Sequence, residues 1–367
     1  MVNADLFEIT NSRINTAIDK GVNSLDDNIK NIAFTNQLRS SAGVFSVFKG
    51  HHNTQAISAL LIGKDGNLVP FNVFKTEALK VSNKHLKSWL RTEYNTAIRR
   101  ATVGANFQQY LEDIDLYPNL RWTPSRSETP RNLHEQLYGL VLPVNAPFWV
   151  DNFPGNLWNC KCGLEQTTAS AGTAPKSKIE VPSGLDGNPA FTGDIIAKSH
   201  PYFKGVDNKG SVSQEFEKFK LSFPFHKKPN YVSKNGGKVF VHRYADPVDV
   251  VENFDVAKLM LDKFKLDLKI RPHCNNIITG LGDTKRKNPG YLINGLVADL
   301  KKIEGNNISN TIGKAKKQGN EVVVFYIKND LSVQRIIEKL NGNFNARTNG
   351  NPFKEIYIIK DNEVVKY

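Results

Sequence analysis

NPGYLINGLVADLKKIEGNNISNTIGKAKKQGNEVVVFYIK, residues Asn288–Lys328, is the stretch that decides the fold of the C-terminal half of the chain. An Asn-Gly pair tolerates positive φ at both positions, so it predicts a tight hairpin turn between strands at Gly290–Asn294 and Leu296–Ile303. Apolar residues at helical spacing predict a helix at Asn306–Gln318. The apolar run Glu321–Ile327 predicts a buried strand, and together these elements form a compact sheet with a basic helix.

The second strand of this hairpin places two opposite charges side by side. Side chains alternate between the two faces of a strand, so Asp299 and Lys301 share one face with Val297 and Ile303. A carboxylate and an ammonium group raised together on a sheet are suited to the cleavage of a phosphodiester, in which negative charge develops. The plainer interpretation is a solvent-facing strand lysine paired with a neighbouring aspartate.

The composition is that of a globular protein with more than one domain. The chain has 367 residues, of which 40% are hydrophobic and 23% are charged, and two or three domains are expected. It contains no apolar run of transmembrane length, and its start, MVNADLFEIT, lacks the basic end and apolar block of a signal peptide. Three cysteines do not make a disulfide framework, so we expect folding in a cytoplasm.

Positive charge is concentrated in the second half of the chain. Residues 1–200 carry 20 basic and 18 acidic side chains, a net charge of +2, whereas residues 201–367 carry 29 and 18, a net charge of +11. This balance favours a polyanionic partner, and nucleic acid is the commonest one. The alternative is a lysine-rich surface that only interacts with solvent.

The sequence pattern divides the chain into two α+β domains. Val73–Leu111 has apolar residues at helical spacing without an interrupting proline, and it predicts the longest helical stretch. Thr167–Gly193 is rich in Ala, Ser, Thr, Gly and Pro, has little periodicity and indicates a linker. We therefore predict a helix-rich domain at residues 1–165, a linker at 166–200 and a smaller domain at 201–367.

An ordered set of motifs in the first domain resembles a known family. The motifs are LRTEYNTA at 90–97, RNLH at 131–134, PFW at 147–149 and WNCKC at 158–162. Over roughly residues 70–170 they resemble the phage Mu F-like minor head proteins, also called phage head morphogenesis proteins. The resemblance implies portal and capsid partners, a location in the virion head as well as in the host cytoplasm, and a role in head assembly or DNA packaging.

Three residues of this block have side chains of types that bind zinc. Cys160 and Cys162, with the upstream His134, are a three-ligand start for a zinc site. In the plainer interpretation the two cysteines share one face of a strand and pack into a core, while the histidine satisfies a buried carbonyl. A single Cys-x-Cys is weaker than two Cys-x-x-Cys knuckles and no fourth ligand is evident, so packing is favoured and zinc is disfavoured.

The second domain resembles a group of toxin nucleases. The ordered motifs are GGKVFVHR, VVENFDVAKLML, LKIRPH, KNPGYLING, ADLKK and AKKQGNEVVVFYI. Over about residues 230–360 they resemble the barnase–EndoU–colicin–RelE-like domains of phage proteins and contact-dependent inhibition toxins. The resemblance implies a curved, mostly antiparallel sheet, cleavage of RNA, often tRNA, without a metal cofactor, and an immunity protein as a further partner. Related domains carry an acidic residue where this chain has Gly290.

RNA cleavage by the 2′-hydroxyl needs a base, an acid for the leaving oxygen and a cation beside the phosphorane. His273, at the end of a predicted strand, is the candidate base or acid, and His242 competes with it. Lys301 stabilises the developing charge, and Asp299 orients Lys301 or His273. The predicted catalytic residues are His273, Asp299, Lys301, Asn310, Gln318 and Arg347. The predicted nucleic-acid-binding residues are Lys285, Arg286, Lys287, Lys314 and Lys317.

Two other interpretations fit the same residues. Pro289 and Gly290 followed by Asp-x-Lys resemble the core of metal-dependent restriction-type nucleases, in which two acids hold magnesium and a lysine activates water. Gly290 occupies the place of the first acid and Asp283 falls in a loop, so this interpretation ranks second. The third is a non-enzymatic basic module that binds DNA or the capsid wall, which the charge supports equally well.

Overall fold

The computed structural model describes residues 2–26, 28–130, 132–175, 179–274, 289–305, 308–344 and 350–367. The chain forms two compact units, Met1–Phe216 and Glu217–Tyr367, called unit 1 and unit 2 below. The division falls within the helix Lys209–Lys220. Across these described stretches, every helix lacks the combination of length and apolar character that crossing a membrane requires.

Long helices form most of unit 1. Apolar residues four apart, such as Ile14 and Ile18, give the first helix a buried face. Asn3 and Asn28 cap the first two helices, because each side-chain oxygen accepts a hydrogen bond from a backbone N–H in the first turn. The helices are α1 (Ala4–Gly21), α2 (Ile29–Ser58), α3 (Phe71–Asn83), α4 (Leu90–Glu112), α5 (Asn132–Glu135), α6 (Phe148–Asp151), α7 (Pro189–Thr192) and α8 (Lys209–Lys220).

The predicted long helical stretch is present as two helices in tandem. A π-helical turn at Lys84–Trp89 joins α3 directly to α4. Helix α1 packs against both α2 and α4, which makes these three helices the main layer of the unit. Burial against neighbouring helices supports the helical state in α4, whereas α3 has no buried residue.

A small antiparallel sheet lies beside α4. Its central strand is β1 (Asn119–Thr123), which pairs with β2 (Val141–Pro143) on one side and β3 (Gly163–Thr167) on the other. Trp122 of β1 and Trp149 of α6 are fully buried in this core, with ring centroids 6.4 Å apart.

The predicted linker at 166–200 differs from the structure, in which its described residues belong to unit 1. Leu185 and Ile195 are buried there. Arg100 of α4, itself buried, donates hydrogen bonds of 2.7 and 2.9 Å to the carbonyls of Leu185 and Gly187. A buried cation that binds backbone carbonyls can hold a segment without apolar periodicity, and composition does not reveal such an anchor.

A mixed sheet of eight strands forms the centre of unit 2. Strands that are consecutive in the chain are also neighbours in the sheet, with four antiparallel and three parallel pairings. The strands are β4 (Tyr231–Val232), β5 (Lys238–Val241), β6 (Asp267–Ile270), β7 (Tyr291–Ile293), β8 (Leu296–Ile303), β9 (Val322–Ile327), β10 (Glu355–Lys360) and β11 (Glu363–Lys366). The helices that join the parallel pairs are α9 (Val250–Lys263), α10 (Ile308–Lys317) and α11 (Val333–Asn343).

These helices cover opposite faces of the sheet. Tyr291 of β7 points to α9, where its hydroxyl donates a hydrogen bond to the Asn253 carbonyl at 2.9 Å. On the other face, Ile312 of α10 and Ile336 of α11 pack with Phe325 of β9 in one buried cluster. The helix that joins β5 to β6 therefore packs on one face of the sheet, and the helix that joins β8 to β9 packs on the other. In sheets with parallel strands, such a change of face opens a crevice at the carboxyl ends of the strands.

The hairpin predicted from the sequence is confirmed. Asn294 and Gly295 have φ values of +50° and +82°, the left-handed pair that a tight turn between β7 and β8 requires. The helix and the strand predicted after it are present as α10 and β9. The α+β class, with a helical first part and a curled sheet in the second, is also confirmed.

Candidate nuclease site and cysteine cluster

Strand β8 holds the predicted charged pair. Lys301 Nζ lies 2.5 Å from Asp299 Oδ2, and the two side chains are only 17% and 11% exposed. The pair is therefore largely shielded from water, unlike a solvent-facing strand lysine. The other carboxylate oxygen of Asp299 accepts a hydrogen bond of 3.3 Å from the backbone N–H of Gly290, so the position without an acid side chain contributes a donor instead.

His273 lies in the segment that leaves β6, three residues beyond the end of that strand. Its Nδ1 is 3.2 Å from Asp246 Oδ2 and 3.8 Å from Asp249 Oδ2. The hydrogen bond to Asp246, assisted by the charges of Asp246, Asp249 and Asp299, raises the pKa of His273 against the opposing effect of burial. The imidazolium form persists to higher pH, so His273 is suited to donating a proton.

Asp299 and Lys301 are in direct contact, and His273 lies near enough to Asp299 for that charge to help raise the pKa of His273. The register pairs Ile270 of β6 with Tyr291 of β7, and Tyr291 with Ala298 of β8. The chain that leaves β6 toward His273 is therefore level with the middle of β8, where Asp299 lies. This position is at the carboxyl end of β6, in the region where the crossovers change sides.

The acids beside His273 were missed by the sequence interpretation. Asp246 follows β5, and Asp249 precedes α9 in the stretch ADPVDVV. Their oxygens and His273 Nδ1 lie within 4.8 Å of one another, a spacing that fits a metal ion. The available signal was two acids just after a predicted strand, because the carboxyl ends of parallel strands collect functional side chains at one edge.

The remaining predicted residues are more scattered. Asn310 is on the exposed side of α10. Gln318 follows α10 and leads into β9, whose start is tied to the beginning of β8 by a hydrogen bond from Glu321 N–H to the Val297 carbonyl. Gln318 is therefore at the opposite edge of the sheet from His273. Lys314 and Lys317 are exposed on α10, as a contact with phosphates requires. Lys285, Arg286, Lys287, Arg347 and Asp283 lie outside the described residues.

His242, the competitor of His273, has the environment of a structural residue. It is 2% exposed, and one ring nitrogen is 2.8 Å from the Phe223 carbonyl while the other accepts a hydrogen bond from Tyr244 N–H. Burial lowers its pKa to about 4. A neutral, enclosed imidazole with both nitrogens engaged is poorly placed to exchange protons with a substrate.

In unit 1, the structure brings His134 together with Cys160 and Cys162. Both sulfur atoms lie 3.5 Å from His134 Nδ1. The hydrogen bond between the two thiols lowers the pKa of Cys160, whereas the same bond, with burial, raises the pKa of Cys162. Cys160 therefore loses its thiol proton at a lower pH than Cys162 does.

The C-terminal part of the chain matches a toxin-domain family. The family is described as the contact-dependent growth inhibition CdiA C-terminal domain, and the match covers residues 287–364. This span includes Asp299 and Lys301 but neither His273 nor the two acids beside it. The match confirms the resemblance to domains of contact-dependent inhibition toxins.

Two phage-related proteins are also similar to the chain. Protein F of Escherichia phage Mu, named as a capsid assembly protein, is 28% identical over 124 residues, which are 31% of this chain and 28% of protein F. The Mu-like prophage FluMu F protein of Haemophilus influenzae is 28% identical over 103 residues, which are 28% of this chain and 24% of that protein. The matching stretch thus spans about a quarter of each relative. No solved structure gives a significant match.

Proposed function

We propose that this is a phage or prophage head protein in which a head-assembly unit precedes a nuclease toxin unit. The similarity to Mu F-like capsid assembly proteins supports the first role. The match to the CdiA C-terminal domain supports the second. The charge distribution agrees with these two roles, since most of the basic excess lies in the second half, where a nucleic-acid substrate would bind.

The assembly role predicts that the full chain is incorporated into phage heads. When it is co-expressed with the portal and shell proteins of its phage, we expect it to co-sediment with assembled heads. Lys301→Ala is the matched control, because it alters the proposed nuclease site and leaves unit 1 intact, so it should be incorporated as well as the wild type. Assembled heads that contain neither the wild-type chain nor the Lys301→Ala chain would contradict the assembly role.

The observation that carries the nuclease proposal is the shielded contact between Asp299 and Lys301, with His273 near enough to be influenced by the charge of Asp299. Lys301 supplies a cation for the charge that develops on the scissile phosphate. Asp299, fixed by Gly290 N–H and by Lys301, holds that ammonium group in position. His273, whose pKa is raised, donates a proton to the leaving oxygen.

Asp246 and Asp249 favour a metal-assisted form of this reaction. The restriction-type interpretation lacked a first acid because Gly290 stands in its place, and these two carboxylates supply acids from another segment. The two carboxylates are ligands that suit Mg²⁺ or Mn²⁺, and Nδ1 of a neutral His273 lies within 4.8 Å of them as a third donor. In this form His273 is a metal ligand, and it acts as a proton donor only in the form without metal. A bound divalent ion would stabilise the charge on the phosphate and promote ionisation of the attacking water.

Metal-free cleavage of RNA, including tRNA, is the second candidate. The specific observation in its favour is the protonated character of His273 beside three carboxylates. In this form Asp246 or Asp249 takes the proton of the 2′-hydroxyl, His273 protonates the leaving oxygen and Lys301 stabilises the phosphorane. This route needs the 2′-hydroxyl and therefore cleaves RNA alone.

Incubation of the purified full chain with tRNA and with duplex DNA separates these candidates. We expect cleavage that stops in EDTA and resumes when Mg²⁺ or Mn²⁺ is added in excess. Cleavage of RNA that continues in EDTA would favour the metal-free route. Binding without cleavage of either substrate would overturn the nuclease proposal and leave a non-enzymatic basic module that binds nucleic acid.

A further inference from the structure

The cluster of His134, Cys160 and Cys162 in unit 1 has the geometry of a metal site. Zinc in tetrahedral geometry lies about 2.0–2.1 Å from nitrogen and about 2.3 Å from sulfur, which sets nitrogen and sulfur about 3.5 Å apart. His134 Nδ1 lies at 3.5 Å from both sulfur atoms. Both nitrogen–sulfur distances therefore match those of a tetrahedral zinc site, and all three donor atoms lie within 4.8 Å of one another.

Hydrogen bonding alone accounts poorly for this arrangement. His134 Nε2 lies 2.9 Å from Asn156 Oδ1, and the amide nitrogen of Asn156 in turn donates to the Asp151 carbonyl. Asn156 Oδ1 is therefore an acceptor, so Nε2 carries the proton and Nδ1 presents its single lone pair to the cysteines. One lone pair accepts one good hydrogen bond, yet two sulfur atoms approach it at the same distance.

The surroundings are those that support thiolate ligands. A metal-binding imidazole normally donates its other ring N–H to a fixed oxygen acceptor, and the amide oxygen of the buried Asn156 is in that position here. Trp122 Nε1 and the Tyr138 hydroxyl are buried donor atoms that make no hydrogen bond of good geometry with the described residues. Both lie close enough to Cys162 to act on the charge of its thiolate. Donors directed at sulfur stabilise its ionised form, which is the form that binds metal.

A cavity of about 490 Å³ adjoins the cluster and leaves the fourth corner open. His134, Cys160 and Cys162 form part of its wall, together with Arg91, Ser125 and Lys161. A zinc site with three protein ligands and an exposed fourth position holds water or another small ligand there. Two basic side chains in the wall favour an anionic or hydroxide-like occupant.

We infer that His134, Cys160 and Cys162 bind one Zn²⁺ ion whose fourth position faces this cavity. Sulfur with imidazole selects zinc over magnesium or calcium, which require oxygen ligands. The ion would join α5 to the segment before β3, two parts of the chain that have little regular structure between them. The sequence favoured packing because its spacing does not show that the histidine reaches both sulfur atoms.

Metal analysis of the full chain tests this inference. Protein purified without chelator should contain close to one Zn²⁺ per chain at this site, and replacement by Co²⁺ should produce the sulfur-to-cobalt charge-transfer band of thiolate ligation. Cys160→Ser and His134→Gln should each abolish or strongly reduce that band. Wild-type protein that neither retains zinc nor develops the cobalt band would overturn the inference.

The third cysteine provides the matched control. Cys274 in unit 2 is also buried, and it adjoins His273 of the other candidate metal cluster. Cys274→Ser should keep the cobalt band, which assigns the band to unit 1 and not to the proposed nuclease site. A cobalt band that survives Cys160→Ser and disappears in Cys274→Ser would overturn the inference. If a variant fails to fold, the spectrum of the wild-type protein decides the question.

Discussion

Replacing Lys301 by alanine is expected to lower the rate of nucleic-acid cleavage by about 10²–10³, with little loss of substrate binding. The Lys301 side chain is 17% exposed and its ammonium group is held by Asp299, so it is preorganised for the charge that develops on the phosphate. Loss of one such contact costs about 2.7–4 kcal/mol of transition-state stabilisation. Binding depends on many lysines, each of which contributes roughly one unit of salt dependence. Single-turnover cleavage and equilibrium binding of the same substrate measure the two effects separately.

His273→Ala should cause a loss of similar size, since His273 is a metal ligand in the metal-assisted form and the proton donor in the metal-free form. Lys354→Ala is the control, because Lys354 is 63% exposed and pairs with Glu321 at the surface of the same unit. It should cleave at close to the wild-type rate. Variants of Lys301 and His273 that fold by circular dichroism and cleave undiminished would remove both residues from the mechanism.

Replacing Glu93 by glutamine is expected to destabilise unit 1 by about 3–5 kcal/mol. Lys49 of α2 is fully buried, and its Nζ lies 2.5 Å from Glu93 Oε2 of α4. Burial lowers the pKa of Lys49 and raises the pKa of Glu93, so each charge depends on the other to remain inside the protein. Loss of the carboxylate leaves an ammonium group without a counter-charge in a site that water does not reach.

Tryptophan fluorescence during urea unfolding of the full chain measures this effect. All four tryptophans of the chain lie in unit 1, so the signal reports the unfolding of that unit alone. Glu77→Gln is the control, because its pair with Lys80 is exposed and such pairs contribute about 0–1 kcal/mol. The double variant Lys49→Met/Glu93→Gln should recover part of the loss. Equal stability of the Glu93 and Glu77 variants would show that the buried pair does not stabilise the unit.

The C-terminal hairpin and its charged face were predictable because both depend on local rules. An Asn-Gly pair adopts positive φ wherever it joins two strands, and alternation along β8 puts Asp299 and Lys301 on one face whatever the rest of the chain does. The resemblance to Mu F-like proteins could also be recognised from the sequence, because it consists of short motifs in a fixed order.

Only the tertiary structure decided which residues make up the candidate site. His273 meets Asp246 and Asp249 because β5 and β6 are parallel and end at the same edge, although the chain between them forms a whole helix. This proximity depends on pairing between strands that are distant in sequence, so it cannot be inferred from the residues that flank each side chain.

The same reason explains why two features of unit 1 could not be inferred from the sequence. The segment 166–200 looked unstructured because its composition lacks periodicity, yet hydrogen bonds from the buried Arg100 and burial of Leu185 and Ile195 hold it in the unit. The sequence showed the residue types of the proposed zinc ligands and the spacing of the two cysteines. Only the packing of α5 against the segment before β3 brings His134 Nδ1 to 3.5 Å from both sulfur atoms, because that distance depends on contacts between separate parts of the chain.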